Sequence, residues 1–257
     1  MEELHETNGE NLFNRGKVRD IYEMDDGEHL IIITTDRVSI YDQVFPNPIP
    51  GKGVFFNRLT NFWFDFLKVQ DHRVSMSEMA EKELDDFLGM EEEVQDRMML
   101  VRKAEPFPVS VVLKAYMDGN LIPDGPILIP VKKDRNENIT APEAAVIIGA
   151  PWEVIVDMAF DIFNRAAKFT SNRGITLIDT KFEFGMVDGE VTLIDEVLTP
   201  DNSTFFIGPH ESYGKQFIQD WLISTSWKYG EDLPEIPKNV VNKTIEKYRT
   251  LFSILTT

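Results

Sequence analysis

The chain has 257 residues, 42% apolar and 27% charged, enough to bury a sizeable core in one large domain or two lobes and too ordinary a mixture for wholesale disorder. Its 26 Lys and Arg against 44 Asp and Glu give a net charge of −18, which repels nucleic acid and anionic lipid at long range and makes any clustered cations informative. The absence of cysteine excludes disulfides, thiolate metal sites and cysteine nucleophiles.

Residues 1–10 are polar and acidic, unlike a signal peptide, and apolar runs such as Leu30–Ile33 are far too short to span a bilayer. A cytoplasmic protein with neither membrane nor nucleic-acid partners is expected. From Gly16 to Ile33 two short strands flank the turn Met24-Asp25-Asp26-Gly27, an Asp-Gly hairpin signal. The prolines and glycines between Asp42 and Gly53 predict a loop. Apolar residues Phe55, Phe56, Leu59, Phe62, Trp63, Phe66 and Leu67 then recur at helical spacing over Gly53–Val69. A second helix is expected over Ser77–Leu88, a solvated turn at Glu91–Glu93, and strands at Met98–Val101 and Val109–Tyr116. The proline-rich stretch Leu121–Thr140 reads mostly as loop. Pro142–Arg173 predicts one helical turn and a long helix. Strands follow at Ile175–Ile178, Phe182–Gly185 and Glu190–Ile194, with a turn at Met186–Gly189, and helices close the chain at Gly214–Trp227 and Asn239–Leu255. Strands early and helices late predict an α+β fold with a β-rich N-terminal lobe.

Gly16-Lys17-Val18-Arg19-Asp20 puts two cations on one strand face, which suits a polyphosphate, although taken alone the pattern favours a solvated strand edge. Asp36, Arg37, Ser39 and Asp42 directly follow an apolar strand, where sites tend to sit. Pro50-Gly51-Lys52-Gly53 lets backbone N–H groups approach an anion, although it is not a Walker A loop. The most distinctive stretch is Asp179-Thr180-Lys181-Phe182-Glu183-Phe184-Gly185. It places Asp179, Lys181 and Glu183 on one strand face, and the turn at Asp188-Gly189 brings Asp195 back towards Glu183. Carboxylates facing each other across a hairpin are natural Mg²⁺ ligands; the alternative is an amphipathic hairpin with a solvated polar face. No His spacing suggests zinc.

With Thr35-Asp36-Arg37-Val38-Ser39, Pro48–Gly53, Asp195-Glu196-Val197-Leu198-Thr199-Pro200-Asp201 and Gly214-Lys215-Gln216-Phe217, these segments resemble SAICAR synthetases, in order, over roughly residues 14–222. The resemblance implies a β-rich N-terminal lobe over 1–104, a larger α+β lobe over 105–257, and an ATP cleft between them. It implies an ATP-dependent ligase of purine biosynthesis that joins L-aspartate to 5-amino-1-(5-phosphoribosyl)imidazole-4-carboxylate, with Mg²⁺. Homo-oligomerisation is left open. Carried onto this sequence, Lys17, Arg19, Lys103 and Glu105 bind ATP, and Glu183 and Asp195 hold the metal. Lys181 and Asp36 are catalytic, while Arg37, Ser39, Lys114, Asn120 and Lys215 line the substrate side. Ser110, Lys114, Asn120, Asn136, Thr204 and Gly214 depart from the family pattern, in order Glu, Arg, Ser, Asp, Arg and Asp. Lys132, Lys133 and Lys215 are the cations available to compensate. The departures leave open a relative that ligates or phosphorylates another carboxylate, or a non-catalytic nucleotide-binding module.

Overall fold

The computed structural model describes residues 3–75, 92–117, 120–123, 125–208 and 211–257. The helix expected over Ser77–Leu88 lies outside them. In chain order the elements are β1 (Leu12–Arg15), β2 (Arg19–Glu23), β3 (His29–Thr34), β4 (Ser39–Ile40), β5 (Gln43–Val44), α1 (Lys52–Leu67), α2 (Glu92–Gln95), β6 (Met98–Arg102), β7 (Glu105–Pro106), β8 (Val109–Lys114), β9 (Tyr116–Met117), β10 (Asn120–Leu121), β11 (Ile127–Lys132) and β12 (Glu137–Asn138). There follow α3 (Ala141–Ile148), α4 (Pro151–Ser171), β13 (Ile175–Val187), β14 (Glu190–Ile194), β15 (Ser203–Ile207), β16 (Glu211–Ser212), α5 (Gln216–Ser224) and α6 (Lys238–Thr256).

These elements pack as two compact units. The first comprises Met1–Leu59, Arg73–Lys103 and Gln216–Ser253, so most of the two closing helices joins the N-terminal strands rather than the segment that precedes them in sequence. Its antiparallel sheet runs β1-β2-β3-β6. Ile31 and Ile33 of β3 pack with Tyr22, Met98 and Leu100, as a strand with one buried face requires. A second cluster joins Val38, Phe45, Ile49 and Phe56 to Ile218, Leu222 and Tyr248, which supplies the partner surface for α5 and α6.

Helix α1 begins against the end of β3, and that close approach dictates Gly53. A Cβ there would lie 2.1 Å from the Thr34 carbonyl oxygen and 2.5 Å from Arg97 Nη1. The expected loop before this helix is present, except that β4 and β5 form a short hairpin around Tyr41 and Asp42.

The second unit comprises Thr60–His72, Ala104–Lys215 and Ile254–Thr257. Its main sheet runs β12-β11-β8-β13-β15-β16, with β14 and β7 paired to the far half of β13. Helix α4 lies on this sheet and buries Trp152, Ile155, Ala159, Ile162, Phe163 and Ala166, spaced three or four residues apart. Thr140 and Glu143 form a reciprocal capping box at the start of α3.

The structure corrects several sequence expectations. Leu121–Thr140 is not mostly loop: β11 pairs with β8 along its length and with β12. Pro130 fits because it lacks only a donor, while its carbonyl accepts the Ile139 N–H at 2.9 Å. The strands expected at Ile175–Ile178 and Phe182–Gly185 are one continuous β13, with a register shift between Leu177 and Asp179 against β15. The charged residues between them keep the two-residue period and so do not break the strand. Glu92 opens α2 rather than completing a turn, and β1, β15 and β16 were not foreseen. The turn at Asp188-Gly189 is a two-residue hairpin with φ of 51° and 81°, the left-handed pair that such a turn needs.

Candidate active site

In the first unit, Gly16–Asp20 leads into β2. Lys17 is exposed and paired with Asp42, and Arg19 opens the strand opposite Thr34. Asp36 is fully buried. Its carboxylate accepts the N–H groups of Leu4 (3.0 Å), Gly51 (3.1 Å) and Gly53 (2.8 Å) and is gripped by Arg97 at 2.6 and 3.1 Å. Asp36 thus caps the start of α1, where helix N–H groups have no partner within the helix. Arg37 is 3% exposed and spends its guanidinium on main-chain carbonyls and on Asp20. Both side chains therefore make their described contacts within the first unit. Ser39 sits half-buried in the β4–β5 hairpin. Lys103 pairs with Glu23 and lies over the Phe13 ring.

In the second unit, strand register sets Lys114, Asp179 and Thr204 side by side across β8, β13 and β15. Burial pushes the Asp179 carboxyl up, opposed by the Thr204 hydroxyl and by the positive charges of Lys114 and Lys215. Two and four residues further along the same face are Lys181 and Glu183. Glu183 accepts Lys181 Nζ on Oε1 at 2.7 Å and Lys133 Nζ on Oε2 at 2.6 Å. Burial alone would raise its pKa, but the two ammonium groups outweigh burial and hold it at about 2. Opposite Glu183 in β14 is Ile194, and Asp195 follows with φ of 68°, at the point where the chain leaves the sheet.

Carboxylates such as Glu183 in β13 and Asp195 just beyond β14 are the kind of oxygen donor that Mg²⁺ prefers, since it commonly takes one or two protein carboxylates and completes its shell with water and phosphate oxygens. No cluster of three or more acidic or histidine side chains that would enclose a metal occurs among the described residues. A metal held by these residues would therefore need phosphate and water oxygens to complete its shell, not an all-protein cage.

The three compensating lysines have separate surroundings. Lys132 acts on Glu143, Lys133 is bound to Glu183, and Lys215 acts on Asp179. The Lys133–Glu183 contact was not foreseen, because the strand that delivers Lys133 was read as loop. Glu105 is exposed in β7, beside Met186 of β13, and Asn120 is exposed in β10. Arg97, the partner of Asp36, carries no motif that would mark it in the sequence.

A β-rich unit with a lysine and arginine loop, and a second unit with alternating carboxylates and lysines, have the parts of an enzyme that handles a polyphosphate. The sequence model of SAICAR synthetase matches residues 12–236. The phosphoribosylaminoimidazole-succinocarboxamide synthase of Thermodesulfovibrio yellowstonii is 37% identical, over 98% of this chain and 98% of that protein. The SAICAR synthase of Saccharomyces cerevisiae, solved in complex with SAICAR, superposes with a TM-score of 0.82 at 30% identity, over 99% of this chain and 98% of that one. A type-2 SAICAR synthetase in complex with ADP has the same fold, with a TM-score of 0.71 at 20% identity over 95% and 97% of the two chains. The chain belongs to the SAICAR synthetase family.

Proposed function

We infer that this chain is an ATP-dependent carbon–nitrogen ligase of purine biosynthesis. It joins L-aspartate to 5-amino-1-(5-phosphoribosyl)imidazole-4-carboxylate and yields SAICAR, ADP and phosphate. The observation that carries the reading is near-full-length similarity to phosphoribosylaminoimidazole-succinocarboxamide synthases, 37% identical in the bacterial relative above.

A carboxylate is a poor electrophile. Transfer of the ATP γ-phosphoryl group to a carboxylate oxygen gives an acyl phosphate and ADP. The aspartate amine then attacks the acyl carbon, phosphate leaves, and an amide forms with loss of a proton. The protein's tasks are positioning and charge neutralisation. In this reading Lys17 and Arg19 meet the ATP phosphates, with Lys103 and Glu105 in the adjoining nucleotide-binding stretch. Glu183 and Asp195 hold Mg²⁺, which would neutralise phosphate charge. Lys181 and Lys133, bound to Glu183 in the protein alone, are placed to turn towards phosphate oxygens when a cation takes that carboxylate. Lys114, Lys215, Ser39 and Asn120 serve the acceptor and aspartate side. We place the enzyme in the cytoplasm; no helix among the described residues is long and apolar enough to cross a membrane.

The test is phosphate release with Mg-ATP, the imidazole nucleotide and aspartate. Release should require all three and stop when EDTA removes the metal, with the circular dichroism spectrum unchanged. Turnover that ignores aspartate would mark a phosphotransferase. Aspartate-dependent turnover only with another carboxylate would mark a ligase of altered acceptor, a reading favoured by Thr204, not an arginine, facing Asp179.

A further inference from the structure

Arg37 and Thr35 hold the main chain of the Lys17–Arg19 segment from behind. Arg37 Nη2 donates to the Gly16 carbonyl at 2.8 Å and to the Arg19 carbonyl at 3.2 Å, and Nε donates to the Lys17 carbonyl at 3.0 Å. Thr35 takes the intervening Val18 carbonyl with both its N–H (3.0 Å) and its hydroxyl (2.8 Å). Every carbonyl from Gly16 to Arg19 is thereby held by residues 35 and 37. The guanidinium also reaches the His5 carbonyl at 2.6 Å, and Asp20 balances its charge at 2.8 Å.

The consequence follows from the peptide bond. No peptide in the described chain is cis, and in a planar trans peptide the N–H points opposite the carbonyl of the preceding residue. With the Gly16 and Lys17 carbonyls turned to Arg37, the N–H groups of Lys17 and Val18 turn the other way. Successive outward N–H groups make an anion-binding concavity, and this one carries Lys17 and Arg19 on the same stretch. Only arginine has the planar five-donor fork that meets several carbonyls at once; a lysine ammonium has three donors and no fork.

We propose that Arg37, seconded by Thr35, is a positioning residue for nucleotide binding: it sets the backbone of residues 16–19 so that the N–H groups of Lys17 and Val18 and the cations of Lys17 and Arg19 converge on the ATP phosphates. The proposal rests on the reading that Lys17 and Arg19 meet those phosphates. Arg37 does not itself touch the nucleotide.

Equilibrium binding of ADP by titration calorimetry, together with KM for ATP and for aspartate, tests it on four variants. Lys17→Met probes the loop directly and should weaken ADP by about 10-fold, the loss of one charge-assisted contact. Arg37→Lys should weaken ADP by about 10-fold or more. Thr35→Val removes the hydroxyl that donates to the Val18 carbonyl and accepts the Arg37 N–H at 3.4 Å and should cost about 3- to 10-fold, whereas Thr35→Ser, which keeps the hydroxyl, should bind within about two-fold of the parent. KM for aspartate should stay within about two-fold throughout. The Thr35 pair keeps the test decisive if Arg37→Lys folds poorly. Normal ADP binding by Thr35→Val and by folded Arg37→Lys, beside a weakened Lys17→Met, overturns the proposal and spares the reading beneath it. Equal losses for ATP and aspartate also overturn it, since they mark general loosening. An unaffected Lys17→Met removes the loop from the phosphates and takes the proposal with it.

Discussion

Asp20 shows how one buried carboxylate is kept ionised. Burial pulls its pKa up, but hydrogen bonds from Arg37 and from the Thr7 backbone and hydroxyl pull harder, and the carboxyl ends below its usual value. A depressed folded-state pKa contributes stability that is complete above the ordinary carboxylate range and is lost as pH falls through the folded value. Asp20→Asn should therefore cost about 3 kcal/mol or more at neutral pH, because it leaves Arg37 buried without its counter-charge. Urea unfolding of both proteins from neutral pH down to about pH 3 should show the gap narrowing as the parent's own carboxylate protonates. A gap that widens on acidification would contradict this account. At this scale the sequence was a partial guide. Lys181 and Glu183 alternate with phenylalanines, and that period alone put them on one face. Asp36 and Arg37 gave the same outward signal, polar groups after an apolar strand, yet their partners are main-chain groups, Arg97 and Asp20. No local pattern separates a residue that serves the ligand from one that serves the backbone beneath it.

Among the elements, the start of α1 is the most constrained. The Cβ distances at Gly53 leave no room for a side chain, and the obstacles are a backbone carbonyl and an ion-paired guanidinium rather than a flexible tip. Gly53→Ala should destabilise by about 3 kcal/mol or more by forcing the helix away from β3, read as a lowered urea midpoint with unchanged slope. A neutral effect would mean that the helix start relaxes freely. Helical periodicity places α1 to within a few residues and the end of α4 equally well, since both carry long apolar stripes, while the break between α3 and α4 is not marked by it. The errors have physical causes as well. Pro130 sits where β11 asks for no donor, and β1 is exposed along its whole length, so neither strand shows the apolar alternation by which strands are recognised.

At the scale of the molecule, a net charge of −18 means that acidic groups repel one another across the surface, while the described lysines and arginines with a proposed role sit in local clusters. Raising sodium chloride from about 0.02 M to about 0.3 M should raise the melting temperature of the parent protein by a few degrees as that repulsion is screened. A fall would show that ion pairs outweigh the repulsion. Composition made the acidic body legible from the outset. It did not reveal that Gln216–Ser253 returns to the N-terminal strands, because that pairing rests on contacts such as Phe56 with Tyr248, far apart in the chain. Leu4 accepts the Asp36 N–H on its carbonyl and donates its own N–H to the Asp36 carboxylate, His5 lends its carbonyl to Arg37, and Thr7 closes on Asp20. Most of that stitching is main-chain, so identity matters here only where a side chain has work of its own, as Leu4 does against the Tyr22–Ile31 cluster and Glu6 does beside Arg15. The number of residues is fixed more tightly: one extra residue between Leu4 and Thr7 would throw three buried charges out of step together, which makes this short strand of chain more tolerant of spelling than of length.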